Sequence, residues 1–269
     1  MEYNLINNIA KLSDDHTSLT FGYYFDQKIE PNTLSKNLTT LIFGYKFNQK
    51  IESDTLSKNL TTLIFGYKFN QKIKPNSLPE SLTNLTFGDK FNQKIKPNSV
   101  PESLTNLTFG DKFDQKIESN TLPDTITTLT FGWFFNQKIE PDTLPESLAT
   151  LVFRHNFNQK IEPNSLPSNL KYIEFNWIYL RDKINISSYI EMVNNIPGYY
   201  DVKIFLLNNI LDKNGPKWPI HVFQYNECKW SSEIYEMLDN YTHPIYDNIT
   251  IIINKKTYQP YSSAKSALK

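Results

Sequence analysis

Phenylalanine recurs at Phe21, Phe43, Phe65, Phe87, Phe109, Phe131, Phe153 and Phe175, every 22 residues without a slip. A fixed period of that size restricts a chain to a stacked array. One unit cannot bury its own apolar face, so it must lean on its neighbours. One coil reads from Leu38 to Asn59. Leu38-Thr39-Thr40-Leu41-Ile42-Phe43-Gly44 is strand-like, and Leu41 and Phe43, two apart, point to one face while Thr40 and Ile42 point to the other. Gly44 is expected to permit a backbone turn that a side chain would hinder. Phe47, Ile51, Leu56 and Leu60 recur at fixed places and are expected to fill the coil interior. Pro75 with Pro79, and Pro141 with Pro145, rule out a regular helix on the return side. The return is therefore extended, turn-like or a single 3₁₀ turn.

These features predict a leucine-rich-repeat-like β-solenoid with one parallel strand per coil and non-helical return segments. Strands stack about 4.8 Å apart in such a sheet. Residues 1–18 read as an N-terminal cap, 19–175 as the solenoid of seven complete coils plus an eighth strand, and 176–269 as a small α/β module capping the last coil. Leu5, Ile9 and Leu12 have helical spacing, so the cap is expected to hold a short amphipathic helix or an irregular lead-in. In the C-terminal module, 186–196 and 231–238 read as helices, and 202–207, 220–225 and 249–253 as strands.

Phe47-Asn48-Gln49-Lys50-Ile51, with Pro75 and Leu78-Pro79 downstream, resembles the FNIP repeat, a 22-residue unit related to leucine-rich repeats and found in amoebae and the giant viruses that infect them. Phe-Asn/Asp-Gln-Lys-Ile stands at 25–29, 47–51, 69–73, 91–95, 113–117, 135–139 and 157–161. The resemblance implies a protein-interaction scaffold. Repeats of this family often follow an F-box that recruits a ubiquitin ligase. The eighteen residues before the first coil hold no F-box-like stretch, so a ligase-adaptor role stands as an alternative, beside a purely structural rod.

Catalysis has little to rest on. His16, His155, His221 and His243 are scattered, and no motif surrounds Cys228. A glycine-rich phosphate loop, a paired metal-ligand motif and a nucleophile elbow are all missing from the sequence. The expectation is no enzyme, no cofactor and no metal. Lys plus Arg and Asp plus Glu are both 28, which gives no argument for nucleic acid or an anionic membrane as partner. Apolar runs of membrane-spanning length are missing too. The lone cysteine fits a reducing compartment, so an intracellular, cytoplasmic monomer is expected.

Two polar patterns remain. Gln49-Lys50 recurs in every complete coil, and stacked glutamines are expected to bond coil to coil as a ladder. The lysines at 68, 72, 74, 90, 94 and 96 collect in the central coils, as a solvated edge or an anion-binding patch. More informative is the position after the glycine, which holds Tyr23, Tyr45, Tyr67, Asp89, Asp111 and Trp133, then His155 after Arg154. It varies while its neighbours barely do. Tyr45, Tyr67, Asp89, Asp111, Trp133 and His155 are therefore the candidate residues for binding a protein partner, since exposed aromatics are common anchors.

Overall fold

The computed structural model describes residues 11–154, 156, 157, 159, 161 and 165–174 with their side chains, and the backbone of 175–179, 201–207, 221–225 and 248–254. The chain divides into two compact units, Met1–Leu170 and Lys171–Lys269.

The first unit is the stacked array. Its strands are β1 (Lys11–Leu12), β2 (Ser18–Thr20), β3 (Thr40–Ile42), β4 (Thr62–Ile64), β5 (Asn84–Thr86), β6 (Asn106–Thr108), β7 (Thr128–Thr130) and β8 (Thr150–Phe153), side by side in sequence order. From β2 to β8 every pairing is parallel and joins residues 22 apart, such as Leu41 with Leu63. Each central leucine is buried and its flanking residues face outward. The alternation read from the sequence is thus the pleat of the sheet.

Inside the array, apolar side chains form continuous columns. Phe87 lies between Phe65 and Phe109, with ring centroids 5.7 Å from each. It also stacks within its own coil on Phe91 at 3.8 Å. Two phenylalanine columns therefore run the length of the core, flanked by columns of Leu, Ile and Val. Each fully buried ring contributes about 1.5–3 kcal/mol of hydrophobic stabilisation.

The return path turns by i→i+3 hydrogen bonds and contains no helix among the described residues. Phe47 N donates to Gly44 O, Thr55 N to Glu52 O, and Leu60 N to Ser57 O. The middle turn has a left-handed residue at its third position: Asn32, Asp54, Asn76, Asn98, Asn120 and Asp142 all have φ between 58 and 62°. Pro precedes most of them, which is the type II pattern of Pro at i+1 and Asn at i+2.

Gly44 and its equivalents are required for a reason other than turning. A β-carbon there would lie 1.8–2.0 Å from the carbonyl oxygen of the glycine one coil earlier, from Gly44 over Gly22 to Gly132 over Gly110. The glycine column lets successive coils close to strand spacing.

At the start of the array, Leu12 is in a strand, not a helix; residues 1–10 lie outside the described residues. β1 pairs antiparallel with β2, Leu12 opposite Leu19. The Asp15 carboxylate makes the reversal by accepting from Ser13 Oγ at 2.6 Å and from Thr17 N at 3.1 Å. Those bonds, Ser13 first, hold its pKa below the ordinary value. His16 takes the left-handed conformation at the tip, φ 60°. A short hairpin strand pairs the backbone groups of β2 that an uncovered edge would expose.

The second unit contains β9 (Tyr172–Tyr179), β10 (Asp201–Leu207), β11 (His221–Tyr225) and β12 (Asn248–Asn254) in the order β9-β10-β12-β11. β10 runs parallel to β9 with an irregularity between Phe205 and Leu206, β12 runs antiparallel to β10, and β11 parallel to β12. β10, β11 and β12 coincide with the strands read from the apolar runs. The helices expected at 186–196 and 231–238 lie outside the described residues.

Candidate recognition surface

From β2 to β7 each strand leads into a Phe-Gly pair, and the chain then turns through two exposed or half-exposed residues; β8 ends instead at Phe153, followed by Arg154. The backbone of this corner is fixed by its neighbours. Lys46 N donates to Tyr23 O, Lys68 N to Tyr45 O, Lys90 N to Tyr67 O, Lys112 N to Asp89 O, Phe134 N to Asp111 O and Asn156 N to Trp133 O, at 2.7–3.0 Å. Stacking is thus carried by main-chain groups. The side chains of the row are released from any structural duty of the backbone, which explains why their identity changes.

The first part of the row is an aromatic column. Tyr23 and Tyr45 stack with centroids 4.6 Å apart and planes at 7°, and Tyr45 and Tyr67 at 4.6 Å and 4°. Desolvation raises the pKa of the Tyr45 phenol, with help from its two tyrosine neighbours. Asp89 and Asp111 then continue the column. Partial burial raises the pKa of Asp89, the negative charge of Asp111 adds to that, and Arg154 and Lys90 oppose it. Arg154 Nη1 comes within 4.0 Å of Asp111 Oδ1 although it belongs to a coil two further on. Trp133 lies between them in sequence order and is half-buried. His155 lies outside the described residues.

A second row, one residue on, was not singled out from the sequence. Lysines at 46, 68, 90 and 112 are bracketed by Tyr24 and Phe134. Tyr24 is 63% exposed and Phe134 40%. Lys112 Nζ sits 3.6 Å from the Phe134 ring centroid, and Lys90 Nζ 5.4 Å from that of Tyr67. Aromatics replacing lysine at both ends of one row are the sequence signal for this arrangement.

The Gln column bonds differently from the expected Gln-to-Gln ladder. Gln71 Nε2 donates to Asn48 O at 3.0 Å and Asn48 Oδ1 at 3.2 Å, and Asn70 N donates to the same Oδ1 at 2.9 Å. The same pattern serves Asp26, Asn70, Asn92 and Asp114. The Asn or Asp side chain takes part through an accepting oxygen alone, so Asn and Asp interchange freely. This ladder is structural.

The central lysines are partly neutralised. Lys74 Nζ lies 2.6 Å from Glu52 Oε2, and Lys94 Nζ 2.9 Å from Glu118 Oε1. All four side chains are well exposed, so solvent screening leaves these pairs little weight in holding the array together. Among the described residues, no group of three or more His, Cys, Asp or Glu side chains is placed to hold a metal ion. No helix among them is long and apolar enough to cross a membrane.

The model of the family described as FNIP Repeat matches residues 11–46, 47–90, 91–134 and 135–176. A solved structure described as CroV588, a novel circular leucine-rich-repeat protein, is 54% identical with a TM-score of 0.57. The likeness covers 58% of this chain and 23% of that one, so the chain spans about a quarter of the length of this relative. No curated protein matches the chain. With an unbroken run of matches from residue 11 to 176 laid over seven stacked strands, the chain belongs to the FNIP repeat family.

Proposed function

We propose that the chain is a non-enzymatic scaffold that binds a protein partner through the row Tyr45, Tyr67, Asp89, Asp111, Trp133 and His155. One observation carries this reading. The carbonyls from Tyr23 to Trp133 all accept the same coil-to-coil main-chain bond, while the side chains pass from tyrosine to aspartate to tryptophan. An identical comb offers one chemistry repeatedly, whereas this row offers an ordered series of aromatic and acidic groups. Such a series can distinguish one partner from another. Repeat solenoids of the leucine-rich kind suit that work because their exposed rows are long and rigid. The single cysteine, which permits no disulfide within the chain, supports an intracellular, cytoplasmic setting.

The test is affinity purification from the native host cell with the full chain and with a Trp133→Ala chain of unchanged thermal stability. Proteins captured by the first and lost by the second support the reading. Identical captures from both remove the row from recognition, and a ubiquitin-ligase subunit among the proteins captured would favour the adaptor alternative.

A further inference from the structure

The rim carries its uncompensated positive charge at one end. Each corner presents two side chains, the row residue and the one after it. Two successive corners hold Tyr45 with Lys46 and Tyr67 with Lys68. The next two hold Asp89 with Lys90 and Asp111 with Lys112, an acid for each lysine. Arg154 also approaches Asp111, at 4.0 Å. Neither Lys46 nor Lys68 has an ion-pair partner among the described residues. The strands leading into their corners turn Thr40 with Ile42, and Thr62 with Ile64, to the outer face, so the sheet beside them is uncharged. Lys46 N donates to Tyr23 O at 2.9 Å and Lys68 N to Tyr45 O at 3.0 Å. These main-chain bonds hold the two corners at strand pitch, about 4.8 Å apart.

The tyrosines narrow what can bind there. Tyr45 has Tyr23 stacked on one face and Tyr67 on the other, each at 4.6 Å. The ends of this short column are occupied as well. Tyr24 packs against Tyr23 with centroids 4.7 Å apart and planes at 69°, and Lys90 Nζ lies over the Tyr67 ring at 5.4 Å. A nucleic-acid base binds an aromatic side chain by stacking on its open face. This column offers ring edges and phenol hydroxyls instead. A phenol donates one hydrogen bond and an ammonium group three, and an ionised carboxylate accepts from both.

We infer that the Tyr45-Lys46 and Tyr67-Lys68 corners bind a short acidic segment of a protein partner, whose carboxylates pair with the two lysines and accept from the phenols. The inference rests on the proposed role of the rim as the recognition surface and adds the chemistry of what it recognises. Asp89 and Asp111 continue the same row, so a long polyanion laid along the rim would meet repulsion after two coils. Together with the closed tyrosine faces, this favours a short run of carboxylates over a nucleic-acid strand. The pairs are solvent-accessible and therefore sensitive to salt.

Fluorescence anisotropy of labelled hexaglutamate, titrated with the full chain in low salt, tests it. Binding is expected, and it is expected to disappear in about 0.5 M salt. Lys46→Glu with Lys68→Glu is expected to weaken it about fivefold or more. Lys72→Glu with Lys96→Glu makes the same change in net charge at exposed lysines outside the rim and is expected to leave it unchanged. Tyr45→Phe with Tyr67→Phe keeps the stacked rings, removes the phenol donors and is expected to weaken binding about twofold or more. Four results would each overturn the inference: no binding by wild type, equal losses in the two lysine pairs, unchanged binding in the phenylalanine variant, or hexauridylate bound as tightly as hexaglutamate. Host-cell capture separates this inference from the reading beneath it. Partners lost by Trp133→Ala but kept by Lys46→Glu with Lys68→Glu would remove the acidic segment and leave the rim as the recognition surface.

Discussion

The carbonyl oxygen of Gly88 lies 2.0 Å from the place a β-carbon on Gly110 would occupy, with the Gly88 carbonyl carbon at 2.4 Å and Asp89 Cα at 2.7 Å. All three are backbone atoms, so no side chain can swing aside. Gly110→Ala must instead push two coils apart along their shared sheet edge. The expected loss is about 1–3 kcal/mol or more, as for overpacking in a tight interior. Denaturant unfolding measures it, and an unchanged midpoint would mean that the coils do not stack at this spacing.

That relationship also marks where sequence reasoning stops. The period, the strands and the interior columns are legible because each rests on spacing along the chain, as with Leu41 and Phe43. The role of Gly44 is not, because a fixed glycine after a strand reads as a turn until the coil before it is laid alongside. The Gln49 partner is hidden for the same reason: its acceptor, Asp26, is 23 residues away. The hint lay in Asp26 and Asp114 standing where other coils have asparagine, since a carboxylate only accepts. The rim row was legible from its variation alone. The reach of Arg154 back to Asp111 was not, because it crosses two coil boundaries.

A buried hydroxyl supplies an independent check. Thr55, Ser77 and Thr143 each donate their hydroxyl to the carbonyl three residues earlier at 2.7–2.8 Å. Thr121 holds the equivalent position, and its Oγ1 is buried without a hydrogen-bond partner. Thr121→Val is therefore expected to leave stability unchanged or raise it by up to about 1–3 kcal/mol, the desolvation cost of an unpaired group. Thr143→Val is expected to lower it by about 1 kcal/mol. Equal losses in the two variants would mean that Thr121 is bonded after all.

The raised pKa of Asp89 gives a pH signature with a definite sign. Its folded-state pKa lies above the unfolded one, chiefly through burial and then through Asp111. The folded protein therefore binds the proton more tightly, and this carboxylate's share of stability falls as pH rises from below the ordinary carboxylate value through the folded one. The side chain is only half-buried, so solvent screening keeps the effect small. Asp89→Asn should be more stable than wild type at neutral pH, with the difference vanishing well below pH 4. A difference that grows on acidification would reverse the assigned cause.

Trp133 carries the sharpest prediction about recognition. It is half-buried, not sealed between coils, and its carbonyl accepts from Asn156 N at 3.0 Å. Alanine keeps that main-chain bond, so truncation removes ring surface without removing the link to the next coil. Phe134 beside it already engages Lys112 through its ring face, which ties this end of the rim to the lysine row. The ring of Trp133 is thus the largest group of the row that a partner can cover. Trp133→Ala is expected to weaken partner binding by more than about 1 kcal/mol, the usual threshold for an interface anchor. Binding is measured with the partner recovered from the host cell, and thermal unfolding of the variant is followed in parallel. If the variant melts well below wild type while binding per folded molecule is unchanged, the indole belongs to the core and the row loses its strongest anchor.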